Sequence, residues 1–436
     1  MNLLSLRIFV AKGLSNVIAV LLLGANLAVG SDVSTSKGLT SVGSTSAGST
    51  GTPPSFQLIL DADMSSGAKV AGRSIEQGIR VALSEVNNQV QGVNLELVIK
   101  DHRGSTPRSL SHLNQFLNNE SALVVFGGLH SPPLLANKDF INANQILTLV
   151  PWAAAGPITR SSTNENWIYR LSIDDSRAGS FIVDRSIVKE KFKKPYLLLE
   201  QTGWGRSNLK TMSQQLEHLD IAMAGQHMFN WNIGIHEAKV IARNIANSGA
   251  DVVFLVANAP EGKVLLEALM DDEGTRSIAV RSHWGITGGD FYQSLKASTR
   301  DTMDLKFIQT DFSFVSSDLS DQAQQVFARA QTLFPQDLSN VDDIQAPTGF
   351  VHGYDLTRLL LETMGKVDMA RSVVQIRKDI KHQLELFDTP VRGLIRDYKR
   401  PFSEYTPNNL NAHEALDPEN YAMGYFDSHG VIYIER

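Results

Sequence analysis

Residues able to hold a small molecule recur just past short apolar runs. Ser65 follows Phe56–Ala62, His130 and Ser131 follow Leu123–Phe126, and Trp152 with Ala153, Ala154 and Ala155 follows the run ending at Val150. Trp204 follows Lys194–Glu200, Asn258 follows Asp251–Ala257, and Trp284 follows Ser277–Ser282. Hydroxyls, an imidazole and an amide offer single hydrogen bonds, and a backbone bare of large side chains at Ala153–Ala155 can turn its N–H groups to an anion. Three of the five tryptophans suit the walls of a chamber for an apolar or aromatic body. Such a set binds a ligand and contains no arrangement for breaking a bond. Each member also has a structural reading: Ser131 as a helix cap, the alanines as tight loop packing, each indole as core.

Signatures of catalysis are missing elsewhere too. No G-x-S-x-G elbow, H-E-x-x-H pair or P-loop occurs. Thr202-Gly203-Trp204-Gly205-Arg206 opens a helix after a strand, but Asn208 stands where a dinucleotide-binding loop needs its third glycine. His218, His227 and His236 are too far apart to share one helix face as metal ligands, and Asp271-Asp272-Glu273 reads as a solvated helix end. No cofactor or metal is expected.

The elements that must position these residues alternate strand and helix from Phe56 onward, the pattern of βαβ units on a mainly parallel sheet. Val124-Val125-Phe126-Gly127-Gly128 reads as a buried strand turning sharply, with Ser131 as N-cap and Pro132 in the first turn of the next helix. A second series begins at Lys194–Glu200 and repeats the pattern through Ser277–Ser282, giving a second doubly wound unit. Helices over 320–334, 348–364 and 371–387 then return to cover the first unit, and a hairpin around Asp427-Ser428-His429-Gly430 closes the chain. In open sheets of this kind ligands lie at the carboxyl ends of the strands, which is where the candidate residues fall.

A chain of 436 residues fits two lobes, and 42% hydrophobic content fills their cores. A net charge of −6 without basic runs argues against nucleic acid or an anionic membrane as partner. Arg7 and Lys12, an apolar segment to Val29 and small residues before Ser31 mark residues 1–30 as a secretory signal peptide cleaved near Gly30/Ser31. That segment is shorter than the ~20 residues a membrane span needs. Residues 31–55, rich in Ser, Thr and Gly, read as a flexible linker, and the chain has no cysteine for a disulfide or lipid anchor. A soluble monomer in a periplasm is the expectation.

From Phe56 to its end the chain resembles the type I periplasmic binding proteins, in particular the leucine/isoleucine/valine-binding branch that feeds ABC transporters. The resemblance rests on Gly72–Gly78, Phe126–Ser131, Arg170–Ser176, Gly203-Trp204-Gly205, Ala259–Gly262, Gly353-Tyr354-Asp355 and Gly424–Asp427, in this order. It implies two Rossmann-like doubly wound α/β lobes, 56–171 with 312–387 and 172–311 with 388–436. The three crossings between them would fall near Leu171–Ser172, Thr310–Phe312 and Phe387–Thr389. It also implies a ligand carboxylate held by Ser131 and the N–H groups of Ala153–Ala155, with Trp204 as cover. Trp284 replaces the acid that pairs with ammonium in the amino-acid binders, Ala155 replaces a hydroxyl-bearing residue, and an aromatic near Asn258 is lost. The expected ligand is therefore a small organic molecule with an apolar or aromatic part rather than a plain aliphatic amino acid. Its partner would be the permease of an ABC importer, or alternatively a membrane sensor.

Overall fold

The computed structural model describes residues 54–435. The expected signal peptide and all but the last two residues of the 31–55 linker lie outside them.

The first strand–helix series is β1 (Ser55–Ala62), α1 (Lys69–Glu85), β2 (Gln89–Val90), β3 (Val93–Asp101), α2 (Thr106–Leu117), β4 (Ala122–Gly127), α3 (Ser131–Ala143), β5 (Thr148–Val150) and β6 (Ile168–Arg170). Then come α4 (Asp175–Val183), β7 (Pro195–Glu200), α5 (Gly203–His218), β8 (Gly225–Phe229), α6 (Ile235–Ser248), β9 (Val252–Val256), α7 (Ala259–Asp271), β10 (Ala279–Ser282), α8 (Phe291–Ser294), α9 (Ala297–Thr302) and β11 (Leu305–Thr310). The last stretch holds α10 (Asp321–Leu333), α11 (Pro347–Met364), α12 (Val373–Glu385), the small hairpin β12 (Val391–Arg392) and β13 (Asp397–Tyr398), and the closing pair β14 (Tyr421–Phe426) and β15 (Ile432–Glu435).

Two sheets result. One runs β2-β3-β1-β4-β5-β6 and is parallel except for the edge strand β2. The other runs β15-β14-β11-β10-β9-β7-β8, with β14 and β15 joining antiparallel. The parallel strands are apolar along their length, as strands covered on both faces must be. Leu123, Val124 and Phe126 of β4 and Phe254, Leu255 and Val256 of β9 are fully buried.

Between the strand Trp167–Leu171 and the next expected strand, Lys194–Glu200, lies an unexpected helix, α4, which continues as a π-helical turn over Asp184–Lys189. The Asp174 side chain caps this helix on the Ser176 N–H, and Ala178, Ile182, Val183 and Ile187 carry it into the core. Its apolar stripe is broken by Arg177, Asp184 and Arg185, which hides the periodicity in the sequence.

Helices α10 and α11 lie against α1, and α12 covers β4, where the Arg377 guanidinium donates to the Ala122 carbonyl. The approach of α1 to α11 depends on glycine: a methyl at Gly78 would stand 2.1 Å from the Phe350 carbonyl oxygen, and one at Gly353 would stand 2.8 Å from that of Ile75. Two residues along from Gly353, Asp355 accepts hydrogen bonds from the Leu394 and Ile395 N–H groups and the Tyr398 hydroxyl, tying β12 and β13 to this helix.

The chain passes between the sheets after β6, after β11 and before β14. At the first passage Arg170 is fully buried; its Nη2 stands 2.7 Å from Glu414 and 2.8 Å from Asp174. Glu414 belongs to the segment leading into β14, so this charge cluster fastens the first and third passages together. Replacing Arg170 with Met would leave Glu414 buried with Arg160, at 3.8 Å, as its nearest cation among the described residues, Asp174 keeping Arg160 at 2.5 Å, and urea unfolding of Arg170→Met is expected to show a loss of about 3–5 kcal/mol. A loss under about 1 kcal/mol would mean that the cluster behaves like an exposed pair.

Candidate functional site

In each sheet the strand order reverses beside the first strand of its series, between β1 and β4 in one and between β7 and β9 in the other. At such a switch point the following loops diverge to opposite faces and leave a crevice. The residues at or just past the ends of these four strands are Asp63, Gly127–Ser131, Glu200–Trp204 and Asn258, and the two crevices face each other.

On the first wall, Asp63 organises the loop after β1. Burial would raise its pKa, but hydrogen bonds from His130, Ser66 and the Ala68 and Ser66 N–H groups hold it well below the usual carboxylate range. With Asp63 ionised, His130 Nε2, 3.4 Å away, carries the hydrogen of that pair and leaves Nδ1 without a protein partner. The α3 helix begins at Ser131, with His130 as its uncapped N-cap. The expected capping role of Ser131 is not found: the helix already includes Ser131, and with His130 at the N-cap the second and third helical residues are Pro132 and Pro133, which have no N–H to give a cap. The Ser131 hydroxyl instead accepts the Ala155 N–H at 3.2 Å, which leaves its own proton to donate. The Ala153 N–H is likewise taken, by the Gly128 carbonyl at 3.3 Å.

On the second wall, the Trp204 indole stands edge-on to His283, with ring centres 5.1 Å apart. His283 Nδ1 accepts the Trp284 N–H at 3.0 Å, so its hydrogen sits on Nε2 and donates to Asp175 at 2.8 Å. This fixes the ring between the two tryptophans. Trp284 in turn meets Trp152 of the first wall edge to face, with centres 5.9 Å apart. Glu200, the last residue of β7, is fully buried; its Oε2 accepts from Asn258 Nδ2 at 2.8 Å and its Oε1 has no partner. Burial pushes its pKa up to about 7, the Glu261 charge adding to the shift, while the Trp231 and Thr202 side chains lie alongside and oppose it.

The walls enclose two joined chambers. The inner one, about 10 Å³ with the walls as they stand and so no larger than a water, is lined by Ser131, Trp152, Ala154, Glu200, Trp204 and Trp284 among others, and the walls must part to admit a larger molecule. The outer one, of about 220 Å³, is lined by Asp63, Ser66, Arg103, Trp231 and Glu261 among others. Leu129, His130, Asn258 and Gly285 belong to both and form the neck. The rims meet on small residues: a methyl at Gly67 would lie 3.0 Å from Pro260, and one at Gly288 would lie 2.1 Å from Leu129.

Of the residues singled out in the sequence, His130, Ser131, Trp152, Ala154, Trp204, Asn258 and Trp284 share the inner chamber. Ala153 and Ala155 stand behind it, their carbonyls accepting from Arg170. Ser65 lies apart from both chambers, its hydroxyl donating to Asp101 at 2.5 Å. Glu200, Glu261 and Trp231 escaped the sequence reading. A charged residue closing the otherwise apolar run Tyr196–Leu199 was the available signal for Glu200.

Two facing crevices walled by indoles and single polar groups define a two-lobed clasp for a small molecule. The model of the periplasmic binding protein family matches residues 60–400, and the chain belongs to that family. Among solved structures, a type 1 periplasmic binding protein from Bordetella pertussis Tohama I superposes with a TM-score of 0.71 at 13% identity, covering 87% of this chain and 99% of that one. An ABC transporter solute-binding protein from R. palustris in complex with 4-hydroxybenzoate has a TM-score of 0.68 at 16% identity, covering 87% and 95%. The branched-chain amino acid transporter substrate-binding protein LivJ from Streptococcus pneumoniae, in complex with isoleucine, has a TM-score of 0.69 at 14% identity, covering 87% and 99%. These likenesses show the expected two-lobed α/β fold. No curated protein matches the sequence.

The buried carboxyl has a measurable cost. Because the pKa of Glu200 is raised from 4.5 to about 7 on folding, the unfolded chain loses its proton first as pH rises, and stability falls between those values. Above the folded-state pKa the penalty is on the order of 3 kcal/mol. The Glu200→Gln chain is expected to melt higher than the parent at about pH 8, with the advantage vanishing toward pH 4. Equal melting temperatures across this range would contradict the assignment.

Proposed function

We propose that this chain captures a small organic molecule between its lobes in the periplasm, after its signal peptide is cleaved near Gly30/Ser31, and presents it to the permease of an ABC importer. The bodies that move are 56–171 with 312–387 and 172–311 with 388–436. The supporting observation is the inner chamber itself, where side chains from both walls converge and four polar atoms, His130 Nδ1, Trp152 Nε1, Trp204 Nε1 and Glu200 Oε1, are buried without a protein partner. Buried polar groups are normally paired, and a set of orphans around one cavity is what a ligand's own polar groups would complete.

The ligand is not a plain aliphatic α-amino acid. In the amino-acid binders this chain resembles, a serine and the loop N–H groups clamp the carboxylate. Here two of those N–H groups are already bonded, and two prolines strip α3 of donors in its first turn. Three indoles favour an apolar or aromatic body instead. The similar structures hold 4-hydroxybenzoate and isoleucine, molecules of the same size class.

A thermal-shift panel of amino acids, aromatic and aliphatic carboxylates, amides, alcohols and amines tests this reading. At a hundred times its Kd a true ligand adds about 2.7 kcal/mol of stability. Gly288→Val should weaken the same compound by propping the rims apart at Leu129, since closure favours the liganded state only if both walls can meet. The largest shift coming from micromolar leucine would contradict the ligand class, and no shift from any compound would contradict capture.

A further inference from the structure

Among the described residues, Glu200 is the one acidic side chain lining the inner chamber, and no lysine or arginine lines it. In the outer chamber the guanidinium of Arg103, the sole one among the described residues, is already paired with Asp101 at 3.1 Å. An anionic ligand would therefore enter a site that offers it an acid and no counter-charge, a cost of several kcal/mol. Ligands with the opposite charge meet the reverse situation. Glu200 Oε1 is an unpartnered acceptor on one side of the chamber, and His130, whose Nε2 faces Asp63, presents Nδ1 without a protein partner on the other. The indoles of Trp152, Trp204 and Trp284 complete the wall, and aromatic rings attract cations as well as apolar groups.

We propose that the ligand is a protonated amine with an apolar body, its ammonium held by Glu200 Oε1 and reached from the opposite wall by His130 Nδ1. This rests on the reading that the cleft captures a small molecule. The acid comes from the end of β7 rather than from position 284, so the charge partner is relocated to another strand. The unpartnered N–H groups of Trp152 and Trp204 would accommodate an oxygen on the same molecule.

The titratable groups facing Glu200 are Glu261 from α7 and His130 from the start of α3; Asp63 lies behind His130, and the His283–Asp175 pair lies behind Trp204. Glu261 opposes ionisation of Glu200, and an incoming ammonium favours it. An amine should accordingly bind more tightly as pH rises from about 6 to 8, because the charged form of Glu200 is the one it needs.

Titration calorimetry of the full chain with benzylamine, benzyl alcohol and benzoate, and with their phenethyl and isobutyl counterparts, tests the assignment. For at least one skeleton the amine is expected to bind at least about tenfold more tightly than the carboxylate. Glu200→Gln is expected to weaken that amine by a similar factor and to flatten its pH dependence, leaving the alcohol within about threefold. A carboxylate that binds more tightly than its amine, or an amine indifferent to Glu200→Gln, would overturn the proposal while leaving capture in the cleft standing. Silence from every head group would overturn both.

Discussion

A carboxyl group buried between two walls without a cation is the constraint on which this site turns. Ionising Glu200 where it stands is costly, and the protein meets that cost only in part, through Asn258 and the flanking Trp231 and Thr202 side chains. A stable core would have closed over an apolar residue at the end of β7. The strand instead ends on an acid, at the point where the order of its sheet reverses and the crevice opens. Indoles above and beside it exclude water, which raises both the penalty of leaving it unpaired and the reward for pairing it.

The two kinds of contact that join the lobes divide the work. The passages between sheets are fastened by buried Arg170, which pairs with both Asp174 and Glu414, while Arg160 adds a second guanidinium to Asp174. The rims of the cleft, by contrast, meet where Gly67, Gly203 and Gly288 leave room for the side chains of Pro260, Leu135 and Leu129. Strong interactions near the axis and weak ones at the edge suit a hinge that opens and closes. A ligand bridging the walls then shifts the balance by its differential affinity for the closed form.

Much of this was legible in the chain. Apolar runs cut off by glycine or proline located the ends of β4, β5, β7 and β9, and the residues just beyond them fall in one chamber because doubly wound sheets gather their carboxyl ends at a switch point. What escaped was set by contacts distant in sequence. Ser131 has the type and place of a helix cap, yet the prolines after it and the Ala155 N–H across the loop give its hydroxyl another partner. Ser65 sits at a strand end like the others but turns to Asp101. Glu200 reads as the tail of an apolar strand until β9 brings Asn258 alongside, and α4 is masked by charges that interrupt its buried stripe.

The most direct measurement is a crystal structure of the chain with the first compound that raises its melting temperature. Contact of that molecule with both the Leu129–Ser131 turn and the Trp204 loop, with one of its polar atoms within about 3 Å of Glu200, is the expected result. A ligand seated on a single wall, or anywhere outside the cleft, would contradict capture between the lobes.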